Sequence, residues 1–240
     1  MNAWSDVVKE ELRNKFPCNN SEIIELPDKS PIFHSTDIPI ESIYGIISKS
    51  RTKSGGIDHL SYVTLFKLCN LKHTGNILLK SITKLANQLA NHKLPNLEHF
   101  LASRGIPIRK KDWSSRPVCI GNIIRRVCFK AIDIHHKADI IANCPRQLSN
   151  GVKGGCEGII HAIRKIQTDI NSRKIATLAL DASNAFNCID RSKTLDNIFQ
   201  KVPQFYNAAY NAYGNRSYVS LDGSICDVVQ GASQGCPLAN

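Results

Sequence analysis

Residues 178–190 read LALDASNAFNCID, a short apolar run that ends in one carboxylate, Asp181, with an aromatic ring, Phe186, five residues further on. A carboxylate on rigid backbone can hold a hard divalent cation against phosphate oxygens, and it can equally cap a strand or start a turn. A phosphatase of the paired-aspartate kind needs a second acid two positions on; Ser183 stands there, which excludes that chemistry. GVKGGCEG, residues 151–158, lacks a G-K-[ST] ending, G-x-G-x-x-G spacing and a preceding apolar strand, so it reads as a helix-opening turn and not as a phosphate loop. Adjacent His135 and His136 would point in different directions on a helix, with no third ligand evident, and read as solvated side chains. Trp113 lies in a strongly basic turn, where its ring could stack on a base or cover a hairpin.

The elements that must position these groups follow from periodicity. KIATLALD, residues 174–181, is short, continuously apolar and flanked by polar residues, the pattern of a buried strand. RGIPIRK and RPVCI face each other across a polar turn as a hairpin, and Ile120, Ile123, Ile124, Val127 and Ala131 recur at helical intervals in a helix that can run on to Ile141. GVKGGCEG opens a helix whose expected buried side carries Ile159, Ile160, Ile163, Ile166 and Ile170. Trp4, Val8 and Leu12 share one face of a helix within residues 1–16, and a Pro- and Asn-containing connector follows. Asp37 is the expected N-cap of a helix with Pro39 near its first turn and Ile40, Ile43, Tyr44 and Ile47 buried. SYVTLFKLCNL and GNILLKSITKLANQLANHKL have helical spacing, broken at Pro95. After Asp181 come a helix over 192–200, a Tyr-rich segment, a hairpin turning at Asp222-Gly223 and the loop QGASQGCPLAN.

With 42% hydrophobic and 21% charged residues, 240 residues make a folded chain and not a disordered tail. A formal charge of +11 favours a polyanionic partner, nucleic acid first. The charge is concentrated: Arg104, Arg109, Lys110, Lys111, Arg116, Arg125, Arg126 and Lys130 stand against Asp112 alone. Nine cysteines without a CxxC pair argue against a zinc finger and a disulfide scaffold, and read as buried free thiols in a reducing compartment. The first twelve residues carry acids and no apolar core, unlike a signal peptide, and no run approaches a membrane span. A nuclear or cytoplasmic location without a membrane partner is the expectation.

Four segments in a fixed order are more specific than any one of them. SGGIDHLS, KKDWSSRP, LALDASNAFN and GASQGCPL together resemble the reverse transcriptase domain of non-LTR retrotransposons, closest to the site-specific retroelement enzymes, over residues 37–240. GIDHL at 56–60, RPV at 116–118, DASNAF at 181–186 and QGCPLAN at 234–240 stand where that family has GPDGL, RPI, D-x-x-x-A-F and QGxPLSP. The resemblance implies an α+β right-hand polymerase fold: helix-rich fingers and a partial palm with a small antiparallel sheet, strand 174–181 central, after an N-terminal helix and connector over 1–36. It implies an RNA-directed DNA polymerase acting on an RNA template, a DNA primer and deoxynucleoside triphosphates through two magnesium ions.

The same resemblance assigns roles. Asp181 would hold magnesium as the catalytic carboxylate, with the backbone carbonyl of Ala182 adding a ligand, and Phe186 would be the aromatic gate under the incoming sugar. Gln234 and Gly235 would line the nucleotide and template. Arg116 would grip the triphosphate bidentately, with Lys111, or Lys110 in its place, beside it. Arg109 and Lys110 would touch the nucleic-acid backbone, and Arg125 and Arg126 would either do the same or merely form the exposed face of their helix. Two departures bear on activity: Cys236 stands where the family usually has an acid, and no Asp-Asp pair occurs in the 240 residues. Without the YxDD hairpin or the thumb, the expectation is a truncated domain unable to polymerise alone. The alternative is a non-catalytic basic nucleic-acid-binding remnant.

Overall fold

The computed structural model describes residues 4–16, 35–148, 153–168 and 178–239. They divide into two units, one of Met1–His135 with Asn184–Asn240, the other of His136–Ser183. The larger unit begins with helices α1 (Asp6–Arg13), α2 (Ile40–Lys49), α3 (Tyr62–Cys69), α4 (Gly75–Asn91) and α5 (Glu98–Leu101), then strands β1 (Ser103–Arg109) and β2 (Ser115–Gly121) and helix α6 (Ile123–His135). The smaller unit contributes α7 (Lys137–Asn143) and α8 (Gly155–Thr168). The larger resumes with α9 (Ala185–Cys188), α10 (Arg191–Lys201), α11 (Tyr206–Tyr213), β3 (Ser217–Leu221) and β4 (Ser224–Val228). The chain is therefore mixed α+β, as expected.

The sheet has the order β2-β1-β3-β4, two antiparallel hairpins joined where Ser103 and Arg104 run parallel to Val219 and Ser220. The β3–β4 hairpin turns on Asp222 (φ 49°) and Gly223 (φ 85°), the pair of left-handed residues that a two-residue type I′ turn requires. In β1–β2, Pro107 faces Pro117. Cys119 donates its N–H away from β1, to the Gln234 carbonyl at 2.8 Å. Outward and inward positions alternate along an antiparallel ladder, so Pro117 also points outward and its missing N–H costs no ladder bond. Ser115, outward too, donates to Glu11 Oε1 at 2.8 Å. The β2 edge is thus covered and not left open to strand addition.

Two apolar clusters hold the larger unit. On one sheet face, Leu12 and Phe16 pack with Cys119, Val219, Leu221 and Val228, flanked by Trp4 and Val8, which is the face of α1 that periodicity singled out. In the other, α6 packs on α2 and α4 and buries Ile123, Val127, Phe129 and Ile132 with Ile43, Ile47, Ile82 and Leu89. Each such side chain contributes about 1.5–3 kcal/mol relative to remaining exposed. The α4 asparagines add a polar clamp. Asn91 Oδ1 accepts from Thr36 N–H (2.7 Å) and Asn87 Oδ1 from Ile38 N–H (2.7 Å), while both amides donate back to the same two residues.

That clamp keeps residues 35–39 extended, so Asp37 does not cap α2, which starts after Pro39 with no side-chain cap; Ile46 is buried and Tyr44 is exposed. The helix expected to reach Ile141 ends at His135, and α7 is separate. His135 is exposed but His136 is buried, with Nδ1 3.6 Å from the Asp139 carboxylate. Helix α8 forms where GVKGGCEG opens it, yet among the described residues nothing covers Ile160, Ile163 and Ile166, which are exposed; Ile170 lies outside the described residues. Of the strand expected over 174–181, residues 174–177 lie outside the described residues. Leu178 to Asp181 carry no strand, and Leu178 and Leu180 are 80% and 86% exposed. The four strands of the described sheet do not include them. The connector at 17–34 also lies outside the described residues.

Candidate nucleic-acid interface

The basic hairpin closes with Lys110 N–H donating to Ser114 O (2.8 Å) and Trp113 N–H to Lys110 O (3.2 Å), and Trp113 sits at φ 69°. This is a type I turn followed by a left-handed bulge residue, a position glycine usually fills. A side chain there costs about 1–2 kcal/mol. Asp112 Oδ1 accepts from the Ser114 hydroxyl (2.6 Å) and N–H (3.1 Å). The hydroxyl bond above all, then the N–H, with Lys110 assisting, holds the Asp112 carboxyl below the usual range. The Arg109 guanidinium lies 4.7 Å from the centroid of the Trp113 ring, which remains 71% exposed. The ring therefore does not cover the hairpin. Arg116 is exposed and shares its face of the ladder with Ile108, whereas Arg109 pairs with Ser115 on the other face.

The outer edge of β2 carries the QG loop. Gly235 has φ 110°, and a Cβ there would lie 2.7 Å from Cys119 O and 3.7 Å from Val118 Cγ1, so the approach and the backbone angle both require glycine. The loop is tied in turn to the segment around Phe186: Ala232 N–H donates to Phe186 O (2.7 Å) and Gly231 N–H to Ile189 O (3.0 Å). Asn184, left-handed at φ 52°, anchors that segment by donating its amide to Lys15 O (2.8 Å). At the far end of β2, a Cβ on Gly56 would lie 2.1 Å from Gly121 O. Asp58 Oδ2 accepts from Ile123 N–H (3.2 Å) at the start of α6, where a carboxylate complements the helix dipole. Arg126 donates to Ser54 O (2.7 Å) and Arg104 to Gly55 O (3.3 Å). Residues 116–121, 186–189 and 231–236 thus form one hydrogen-bonded framework, against which Gly56 packs at Gly121 while residues 54–58 bond to Arg104, Ile123 and Arg126.

Arg125 departs from its expected exposed face. It is only 3% exposed, bonded to the Leu101 carbonyl and to Ser103 Oγ (3.0 Å), and a Cβ on Gly121 would strike its guanidinium. Arg126 is partly buried and lies over the Tyr62 ring at 5.2 Å. Asp181 and Ala182 are exposed, outside any helix or strand, in the smaller unit. Among the described residues no group of three or more His, Cys, Asp or Glu side chains is placed to hold a metal ion.

Sequence reasoning missed a buried polar cluster behind the QG loop. Arg191 donates through Nε to Gly231 O (2.8 Å) and through Nη1 to Asn215 O (3.0 Å), with its guanidinium 6.0 Å from the Tyr213 ring. Burial lowers the Arg191 pKa to about 10 and raises that of Tyr213. Cys119 is pushed up to about 12, chiefly by burial, with Arg125 opposing and Cys236 adding. A pocket of about 150 Å³, lined by Ile189, Arg191, Phe205, Tyr213 and Leu238, adjoins this cluster. Nothing local marks Arg191: following the helix cap Asp190, it reads as a surface cation.

No family model matches the chain, and no curated protein matches it. Among the described residues no helix is long and apolar enough to cross a membrane.

Proposed function

We propose that this chain is a nucleic-acid-binding domain of the reverse transcriptase type, gripping RNA template and DNA primer through its basic hairpin. One observation supports the reading above the others. Motif residues separated by up to 179 positions, from Gly56 to Gly235, sit on segments that fasten to each other through backbone contacts around β2. In this reading Arg116 and Lys111 hold the triphosphate of an incoming deoxynucleotide, Gln234 and Gly235 line its base, and Phe186 supports its sugar. Asp181 and the Ala182 carbonyl are hard oxygen donors of the kind magnesium takes, and the metal, when bound, steadies phosphate charge. The nucleic-acid backbone contacts fall to Arg109, Lys110 and Arg126; buried Arg125 holds the framework.

The 240 residues contain no Asp-Asp pair, so the chain should bind without extending. Primer extension and binding, measured together, test this. RNA binding that weakens with rising salt, without extension, is the expected outcome. Extension with Mg²⁺ that Asp181→Ala abolishes would overturn the inactivity and keep the family reading. Failure to bind any RNA or primer–template at low salt would remove both. The alternative, a purely basic clamp, is favoured by the cation-lined hairpin, and it requires that Asp181→Ala leave Mg²⁺-dependent deoxynucleotide binding unchanged or that no such binding exist.

A further inference from the structure

We infer that the tip of the β1–β2 hairpin is a stacking platform for an unpaired base of single-stranded nucleic acid, with Trp113 as the surface and Arg109 and Lys110 as phosphate partners. The inference rests on the nucleic-acid reading above and adds to it a site, a partner conformation and a residue.

Three observations converge. First, the bulge position at the tip favours glycine, yet it holds the largest side chain of the twenty, at φ 69°. Second, that side chain is not used for packing, since the ring is 71% exposed where a core tryptophan would be covered. Third, the Arg109 guanidinium against the ring steadies its orientation and brings a cation to the place where the phosphate of a stacked nucleotide would lie. Asp112, the acid within the turn, accepts from Ser114 and shapes the turn, and Glu11 beside it is engaged by the Ser115 N–H.

The partner follows from these features. An unpaired base offers a flat π-face, and stacking on an aromatic ring tolerates any base. A duplex keeps its base faces closed, so a projecting ring gains little from it. An acidic peptide supplies the charge without the face. A bilayer needs a broader apolar surface than one ring and Ile108, which is itself only half exposed.

The test compares wild type, Trp113→Ala and Trp113→Phe for binding to a labelled oligouridine strand, an abasic strand of equal length and a duplex, by anisotropy across a salt series. Trp113→Ala should bind the oligouridine about tenfold more weakly with an unchanged salt slope, and Trp113→Phe should recover most of the loss. The abasic strand should bind wild type about as weakly as the intact strand binds Trp113→Ala. Because the ring is exposed, far-UV circular dichroism should be the same for all three proteins. Equal affinity of wild type and Trp113→Ala, or of abasic and intact strands, overturns the platform while leaving nucleic-acid binding in place. Uptake by anionic vesicles with a blue shift of Trp113 emission in a Trp4→Phe background, and no quenching by the oligonucleotide, assigns the tip to lipid and overturns it too. No binding to any strand removes the parent reading along with this one.

Discussion

Arg125 and Arg126 are neighbours of identical chemistry, and the fold uses them differently. Helix α6 is enclosed on nearly every side, burying Ile123, Arg125, Val127, Cys128, Phe129, Ala131 and Ile132, so it has no broad solvent face on which a cation could be assumed to lie. No pattern of types in RRVCFK separates the two arginines; only the Leu101 carbonyl and Ser103, twenty-odd residues upstream, do. Arg125→Ala should therefore cost about 2–4 kcal/mol in urea unfolding, since it strands buried acceptors, whereas Arg126→Ala should cost about 1 kcal/mol or less. Cysteines divide in the same way. Burial raises the Cys119 and Cys128 thiols from 9.0 to about 12. The folded state thus holds protons that the unfolded state releases, so this contribution to stability is complete below pH 9.0 and is lost as pH climbs toward about 12. The melting temperature should fall across that window, and raised Tyr213 adds to the fall with the same sign. At neutral pH, iodoacetamide should label exposed Cys144, Cys156 and Cys188 and spare Cys119 and Cys128, as read by peptide mass spectrometry.

At the scale of elements, what could be read in advance was what local pattern determines. The β1–β2 and β3–β4 hairpins, the α1 stripe and helices α3 and α4 all form where turn chemistry or a 3.6-residue period placed them. The strand expected at 174–181 and the buried side of α8 depended on a partner surface, which an apolar run cannot specify for itself. The asparagines of α4 and α11 were also illegible, because a polar residue on a helix looks solvent-facing until its acceptors are known. Asn211 is fully buried: it accepts from Leu94 N–H (2.9 Å) and donates to Leu89 O (2.8 Å) and His92 O (2.7 Å), closing the end of α4. Asn211→Ala should lower stability by about 2–4 kcal/mol, measured by the denaturant midpoint at constant m-value, because three backbone groups lose their partner at once. Leu in its place should do no better, since shape does not replace those bonds.

For the whole molecule, a charge of +11 makes salt the governing variable of any polyanion binding. Lys110→Ala should reduce the slope of log K against log salt by about 0.7 on single strands, whereas buried Arg125→Met should leave it unchanged. The candidate site was legible as a set of segments and not as a geometry: sequence order named GIDHL, RPV, the AF turn and the QG loop, but not that GIDHL and the QG loop attach to β2 while the AF turn attaches to the QG loop. That attachment makes one atom informative. The Cys119 amide proton is held by the Gln234 carbonyl alone, on the outer side of an edge strand, so it can exchange with deuterium only when the 231–236 loop lifts away. Its protection factor is a built-in gauge of loop opening, and a ligand that settles on Gln234 and Gly235 should slow exchange at Cys119 before it changes any other amide of the sheet.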